Sequence, residues 1–316
     1  MNHVMKRILT VVLACLLLAA CGSTEEQLRQ RAAELCQHIP DHELLEQSRD
    51  YLTEDFYAIL DTMFHHLPEH EAMDHEWLYY FVTGNGGTIA NYEVTGVQRS
   101  DKTHAVATIL VRQQREDGSF DEQTDVEEHR LYMEWVSGEW LISDFDEHKQ
   151  DCINYIANNR REQALRNAIS DYLVREIGSQ YEQGDVCIPV LMMVDETELD
   201  ANLVQALGDF WLFWYKVEGD TLKTVSGGNH SGCITLDCQG DVPVVTSFEQ
   251  TEDGAGFDAS ARRIFGPSYE IFQNMHSNHN LSEAARREQL QEYLLRHDLA
   301  ARYYQDYGWD AVEITD

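Results

Sequence analysis

Histidine and cysteine are the residue types in this chain best suited to nucleophilic or metal chemistry. The stretch Gly227-Gly228-Asn229-His230-Ser231-Gly232-Cys233 places an imidazole and a thiol three residues apart among glycines. A thiol beside an imidazole is an activated nucleophile when the base lies within hydrogen-bond reach and a third group orients it. No third group is identifiable, and the lysine and spacing of a phosphate-binding loop are missing. A tight connection between strands is therefore the preferred reading, with His230 and Cys233 kept as the catalytic candidates. His65, His66, His70 and His75 crowd together with Glu69, Glu71, Asp74 and Glu76, a set of side chains that can ligate zinc. Asp74 stands where a metalloprotease would carry its second histidine, so the two imidazoles do not share a helical face. Pro68 also interrupts the helix that would orient them. The acidic runs around 116–125 and Asp144-Phe145-Asp146-Glu147 lack the alternating acids, glycine and distant glutamate of a calcium loop. Neither a metal nor a cofactor is expected.

The elements that position these residues are legible from hydrophobic spacing. Residues 25–67 read as helical, with Leu45, Leu52, Phe56, Ile59 and Met63 on one face and Pro68 as the stop; a short helix fits His75 to Val82. The period then changes to two. Tyr92 and Val94, Ala105 to Val111, Leu131 to Trp135, and Trp140 with Ile142 alternate with polar neighbours, with Asp117-Gly118 and Ser137-Gly138 as hairpin tips. Helices followed by an antiparallel meander make an α+β domain.

Three segments in this half carry a resemblance: Tyr51 to Tyr57, Val82-Thr83-Gly84-Asn85-Gly86, and Trp140 to Asp146. Over residues 41–156 the chain resembles the nuclear-transport-factor-like (ketosteroid-isomerase-like) superfamily, more narrowly its secreted branch. The resemblance implies a cone-shaped fold with a pocket between sheet and helices. Trp77, Tyr80, Tyr92 and Trp135 would line that pocket, and Phe56 and Ile59 would close its floor. The superfamily contains isomerases and pure binding modules alike, so fold does not fix function. An isomerase needs a carboxylate facing an oxyanion donor in an apolar cavity. No such pair can be placed, because the strand parities turn mostly apolar residues inward.

The polar segment 156–163 marks a boundary. A new helix follows with Leu165, Ile169, Tyr172 and Leu173 on one stripe, then strands over 186–194, 210–217, 222–225, 233–238 and 242–248. Asp209 to Tyr215 is apolar on both faces, as in a strand buried on two sides. The end is helical, with Ser282 as N-cap, Leu290, Tyr293 and Leu294 facing the core, and an aromatic run from Tyr303 to Trp309. This second α+β domain spans 157–316. Both halves carry Asp-Tyr-Leu on a helix ahead of a meander, which leaves a duplicated fold open.

The 316 residues include 56 Asp+Glu against 23 Lys+Arg, a net charge of −33, and 43% are hydrophobic. Such a charge excludes nucleic acid as a partner. Past the first 20 residues no apolar run approaches the ~20 needed to cross a bilayer. The start itself is a secretion signal: Lys6 and Arg7, then an apolar stretch from Ile8 to Leu18, then small residues. Leu18-Ala19-Ala20-Cys21 resembles the lipobox of bacterial lipoproteins. The resemblance implies cleavage after residue 20 and acylation of Cys21, with residues 21–40 forming the anchor, tether and N-terminal helix. Acyl chains of that kind give a stable anchor without spanning the membrane.

Five cysteines remain after Cys15 and Cys21. Cys36 on the N-terminal helix and Cys152 at the end of the same domain make the preferred disulfide, while the pairing of Cys187, Cys233 and Cys238 is undetermined; buried free thiols acting as small apolar residues are the equal alternative. Together these features predict an extracytoplasmic, membrane-anchored protein that binds a small molecule or a protein partner without catalysis. The alternative is an envelope hydrolase or isomerase using His230 and Cys233 or a carboxylate in the cone pocket.

Overall fold

A computed structural model describes residues 25–34, 36, 45–67, 88–114, 119, 121 and 125–315. The chain divides into two compact units, 1–159 and 160–316. Each combines helices with an antiparallel sheet, so the fold class is α+β. No helix among the described residues is long and apolar enough to cross a membrane.

In the first unit, α1 (residues 25–34) and α2 (Glu54–His65) pack on a four-stranded meander. Its strands are β1 (Thr88–Arg99), β2 (His104–Gln114), β3 (Val126–Val136) and β4 (Glu139–Phe145). Phe56, Leu60, Met63 and Phe64 recur at helix spacing on α2 and are buried. Alternation does the same for the sheet: Ala105, Ala107, Ile109 and Val111 on β2 and Leu131 and Met133 on β3 all point into one core. Ser137 and Gly138 close β3 onto β4 with φ of 53° and 103°, the left-handed pair that a two-residue hairpin requires. The 3₁₀ turn Leu45–Tyr51 leads to Leu52, which bridges Ile142 on β4 and ties the helices to the sheet.

The segment expected as a polar boundary holds the division between the units and is helical: α3 (His148–Tyr172) runs through it and continues as a π-turn, Leu173–Ile177. In the second unit Leu165, Ile169, Leu173 and Ile177, each four apart, cover one face of the sheet. That sheet is built from β5 (Val186–Glu198), β6 (Leu203–Glu218), β7 (Thr221–Asp237) and β8 (Val244–Gln250), each antiparallel to the next. Three helices cover the opposite face: α4 (Phe257–Phe265), α5 (Tyr269–Ser277) and α6 (His279–His297). A sheet covered on both sides accounts for the two apolar faces of 209–215, with Phe210 and Leu212 toward α3 and Phe213 and Tyr215 away from it. The N-cap of α6 is Asn278, whose side chain accepts from the Asn280 N–H; Ser282 lies inside the first turn and donates its hydroxyl to the His279 carbonyl. The chain ends in β9 (Tyr303–Gln305) and β10 (Val312–Glu313).

The outer edge of β7 is shared. β8 pairs with residues 232–237, and β9 pairs in parallel with residues 221–223. The two strands expected over 222–225 and 233–238 are therefore parts of one 17-residue strand.

Candidate functional site

The glycine-rich stretch is not a loop; it forms the middle of β7. Its glycines answer crowding rather than turning. A Cβ at Gly227 would strike the Leu212 carbonyl, one at Gly228 the Tyr181 hydroxyl, and one at Gly232 the Glu249 carbonyl. His230 and Cys233 are an odd number of residues apart on a strand, so their side chains leave opposite faces of the sheet. Both ring nitrogens of His230 are engaged: Nδ1–H donates to Gln250 Oε1 at 2.9 Å, and Nε2 accepts from the Tyr181 hydroxyl at 2.9 Å. Burial raises the Cys233 thiol, and the Glu249 charge raises it further, the reverse of nucleophile activation. The two candidates are not brought together.

A polar cluster on the α5 side of the sheet is better built. Asp209 on β6 is fully buried and accepts from Ser231 Oγ and Asn229 Nδ2, both at 2.6 Å. His276, in the last turn of α5, donates Nδ1–H to the same carboxylate at 3.1–3.2 Å. Burial by itself would raise the Asp209 carboxyl, but the bonds from His276, Ser231 and Asn229 prevail and hold it below the ordinary range. The bond to Asp209 raises His276 against the opposing effect of burial. The imidazole lies against Phe257 and Phe272, at centroid distances of 5.1 and 5.2 Å, and its side chain is 30% exposed. Nothing among the described residues bonds its Nε2. This is a base held by a buried carboxylate. One signal for it was present in the sequence: an acid opening a strand apolar on both faces must find buried partners. Its partners come from β7 and α5, and that pairing is invisible before the sheet is assembled.

A second buried charge, Arg286 on α6, donates to both carboxylate oxygens of Asp306 at 2.8 Å and to the Tyr215 hydroxyl at 2.9 Å. Its guanidinium lies 4.0 Å from the Phe213 ring centroid and 4.3 Å from that of Tyr304. With its donors and both faces occupied, it is a structural cation.

In the second unit a cleft of about 180 Å³ opens between α3 and β5. Leu165, Ile169 and Met193 supply its apolar wall, and Glu162, Asp195 and Glu196 with Arg166 its polar rim. Burial raises the Glu196 carboxyl against the pull of Arg161, which lies 3.4 Å away. Asp195 accepts from Ser268 Oγ at 2.9 Å.

The first unit holds several of the expected residues. Tyr92 packs against the core. Trp135 stands near the end of β3, 39% exposed and edge-on to Trp140. Trp77 and Tyr80, with His70 and His75, lie outside the described residues, as does Cys21. His65 and His66 both face Asp61. Among the described residues no group of three or more potential ligands could hold a metal. The acids of 144–147 are engaged in fixing the chain: Asp146 accepts from His129 Nδ1–H at 2.7 Å and from the Arg130 N–H at 2.6 Å, and Asp144 caps α3 through the Lys149 N–H. Cys36 and Cys152 lie in the same core but as free thiols, not the expected bridge. Burial pushes Cys36 up to about 12; burial, with Asp144 and Asp151, pushes Cys152 up to about 11.

The sequence matches no family model and no curated protein. Among solved structures, an Ntf2-like protein involved in plasmid conjugation aligns over 65% of this chain and 86% of its own length. The identity is 8% and the TM-score 0.19, a likeness that bears on neither fold nor chemistry.

Proposed function

We propose that the chain is a lipid-anchored protein of the cell envelope that binds a small ligand without transforming it. The location rests on Leu18 to Cys21 and the signal before it. The order of two helices and a four-stranded meander in the first unit supports the nuclear-transport-factor-like reading. The observation that carries the binding function is the α3–β5 cleft. Glu162 is paired with Arg166 and Glu196 with Arg161, which leaves Asp195 as the carboxylate in excess beside an apolar wall and suits a small cation with an aliphatic body. The volume matches about six waters, the size of a small metabolite rather than a lipid.

Paired native and denaturing mass spectra of the chain test this reading. A discrete excess in the native spectrum, abolished by Glu196→Gln, identifies a ligand of the cleft. Equal masses, with no binding of small aliphatic amines by calorimetry, remove the cleft as a site. The denatured mass also reports acylation at Cys21, and it shows no deficit if Cys36 and Cys152 are thiols.

One observation favours a second reading, a hydrolase: the buried Asp209 holding His276 with Nε2 free to take a proton from water. Hydrolysis of an activated acyl ester such as p-nitrophenyl acetate would then disappear in His276→Gln with the fold retained. An unchanged rate would leave His276 a pin between α5 and the sheet.

A further inference from the structure

We infer that the open stretch of the β7 edge, residues 225–230, receives an extended basic peptide as an added strand. The inference goes beyond the cleft and does not depend on it.

The direction of each backbone group follows from the register. The Cys238 N–H donates to the Asn202 carbonyl at 2.6 Å, and the β6–β7 pairing is unbroken from Leu203↔Asp237 to Trp214↔Ser226. Alternation then turns the N–H and C=O of residues 226, 228 and 230 toward β6 and those of Gly227 and Asn229 outward. Ser231 has the outward parity too, and its carbonyl accepts from the Thr251 N–H at 2.9 Å. β8 stops at Gln250, opposite Gly232, and β9 at Gln305, opposite Lys223. Between them lies ~20 Å of edge with no neighbouring strand among the described residues. Gly227 and Asn229 thus offer two donors and two acceptors at strand spacing, with no backbone partner among the described residues. An edge of this kind is a template for another strand, and proteins ordinarily cover or charge it. Here residues 225–229 carry no charged side chain, and Gly227 itself is exposed.

The surroundings select the occupant. At one end the turn after β9 holds Tyr307, 98% exposed, and Trp309, 76% exposed. Asp306 fixes that turn to β7 by accepting from Thr224 Oγ1 at 2.5 Å. Beside the gap, the main-chain carbonyl of the acidic residue Glu182 accepts from Ser226 Oγ at 2.5 Å, and at its far end Glu252 and Asp253 follow Thr251, whose N–H bonds the Ser231 carbonyl. Carboxylates and exposed aromatic faces both attract Lys and Arg. A second copy of this chain would bring its own charge of −33 to the same edge, which disfavours self-pairing. Main-chain bonds supply affinity in such strand addition, and flanking side chains supply selectivity.

The test uses the full chain in neutral detergent with the probe peptide Ac-Lys-Thr-Arg-Thr-Lys-Thr-NH₂. Two analogues are N-methylated at alternate residues, one in each phase. Binding is expected to slow hydrogen exchange at the Gly227 and Asn229 amides. One methylated phase should bind about fivefold more weakly per blocked bond, while the other keeps its affinity. Equal binding of both phases, or protection elsewhere, would mean attraction by charge alone and overturn the inference. So would an acidic analogue that binds equally well, or the absence of binding by every probe. Protection of the two amides without peptide, rising with protein concentration, would make the occupant a second copy and overturn it as well.

Discussion

His276 and Asp209 form a pair whose stabilisation has a definite pH window. The Asp209 carboxyl is held below its ordinary value, so its contribution is complete above about pH 4 and lost as pH falls through the lowered value. His276 is raised, so its contribution is complete below about pH 6.5 and lost as pH climbs through the raised value. The stability difference between the native chain and His276→Ala should therefore be widest between about pH 4 and 6.5 and shrink on both sides; urea midpoints at pH 3, 5.5 and 9 read it directly. Arg286 carries the other large residue-scale effect. Replacing it with Met removes the buried partner of the half-exposed Asp306 and the donor to Tyr215, for an expected loss of about 1–3 kcal/mol. Adding Asp306→Asn to that variant should recover part of the loss in the same urea assay. Neither residue drew notice in the sequence. His276 ends a nine-residue helix, and Arg286 sits on a helix whose apolar stripe was read through Leu290 and Leu294. A lone charge among polar neighbours looks solvated until the tertiary fold closes over it.

Elements were legible where periodicity was uninterrupted. Ala105 to Val111 and Leu131 to Met133 alternate cleanly, and their burial follows that alternation residue by residue. The π-turn and α3 continue the four-residue spacing that Leu165 and Ile169 begin. β7 was misread because glycine ordinarily signals a turn, and Gly227, Gly228 and Gly232 outweighed the strand pattern on either side. Their actual cause, close approach by other segments, has no local signature. Helices α4 and α5 escaped for a related reason: nine residues each, set among Gly254, Gly256 and Gly266-Pro267, they resemble connections. The crowding makes a signed prediction. Gly→Ala inside an ordinary strand stabilises by about 0.5–1 kcal/mol. Gly232→Ala should instead destabilise by about 1–3 kcal/mol, because its Cβ must displace the Glu249 backbone on β8. Denaturant unfolding compares the two signs.

For the whole molecule, 56 acids against 23 bases make self-repulsion a standing cost of the compact state. Raising sodium chloride from about 0.01 to 0.2 M shortens the screening length several-fold and should move the urea midpoint upward. A chain held mainly by its surface ion pairs would move the other way. The two-unit organisation and the α+β class were readable from the change of period along the chain. The sheet order of the second unit was not, because it depends on a parallel pairing between Thr221 and Tyr303. That pairing also orders events in time. The β6–β7 hairpin closes through Gly219 and Asp220 and can form within microseconds. β9 must close a loop of some eighty residues to reach the same strand, and it arrives with Asp306, the counter-charge of Arg286. Until it does, the α6 guanidinium has no anion to meet, so docking of α6 and pairing of β9 should appear as one late phase in pulse-labelled refolding, with the amides of Leu290 and Tyr304 protected together. A chain emerging in N- to C-terminal order would then stay exposed to proteases until the segment from Tyr303 to Asp306 had followed.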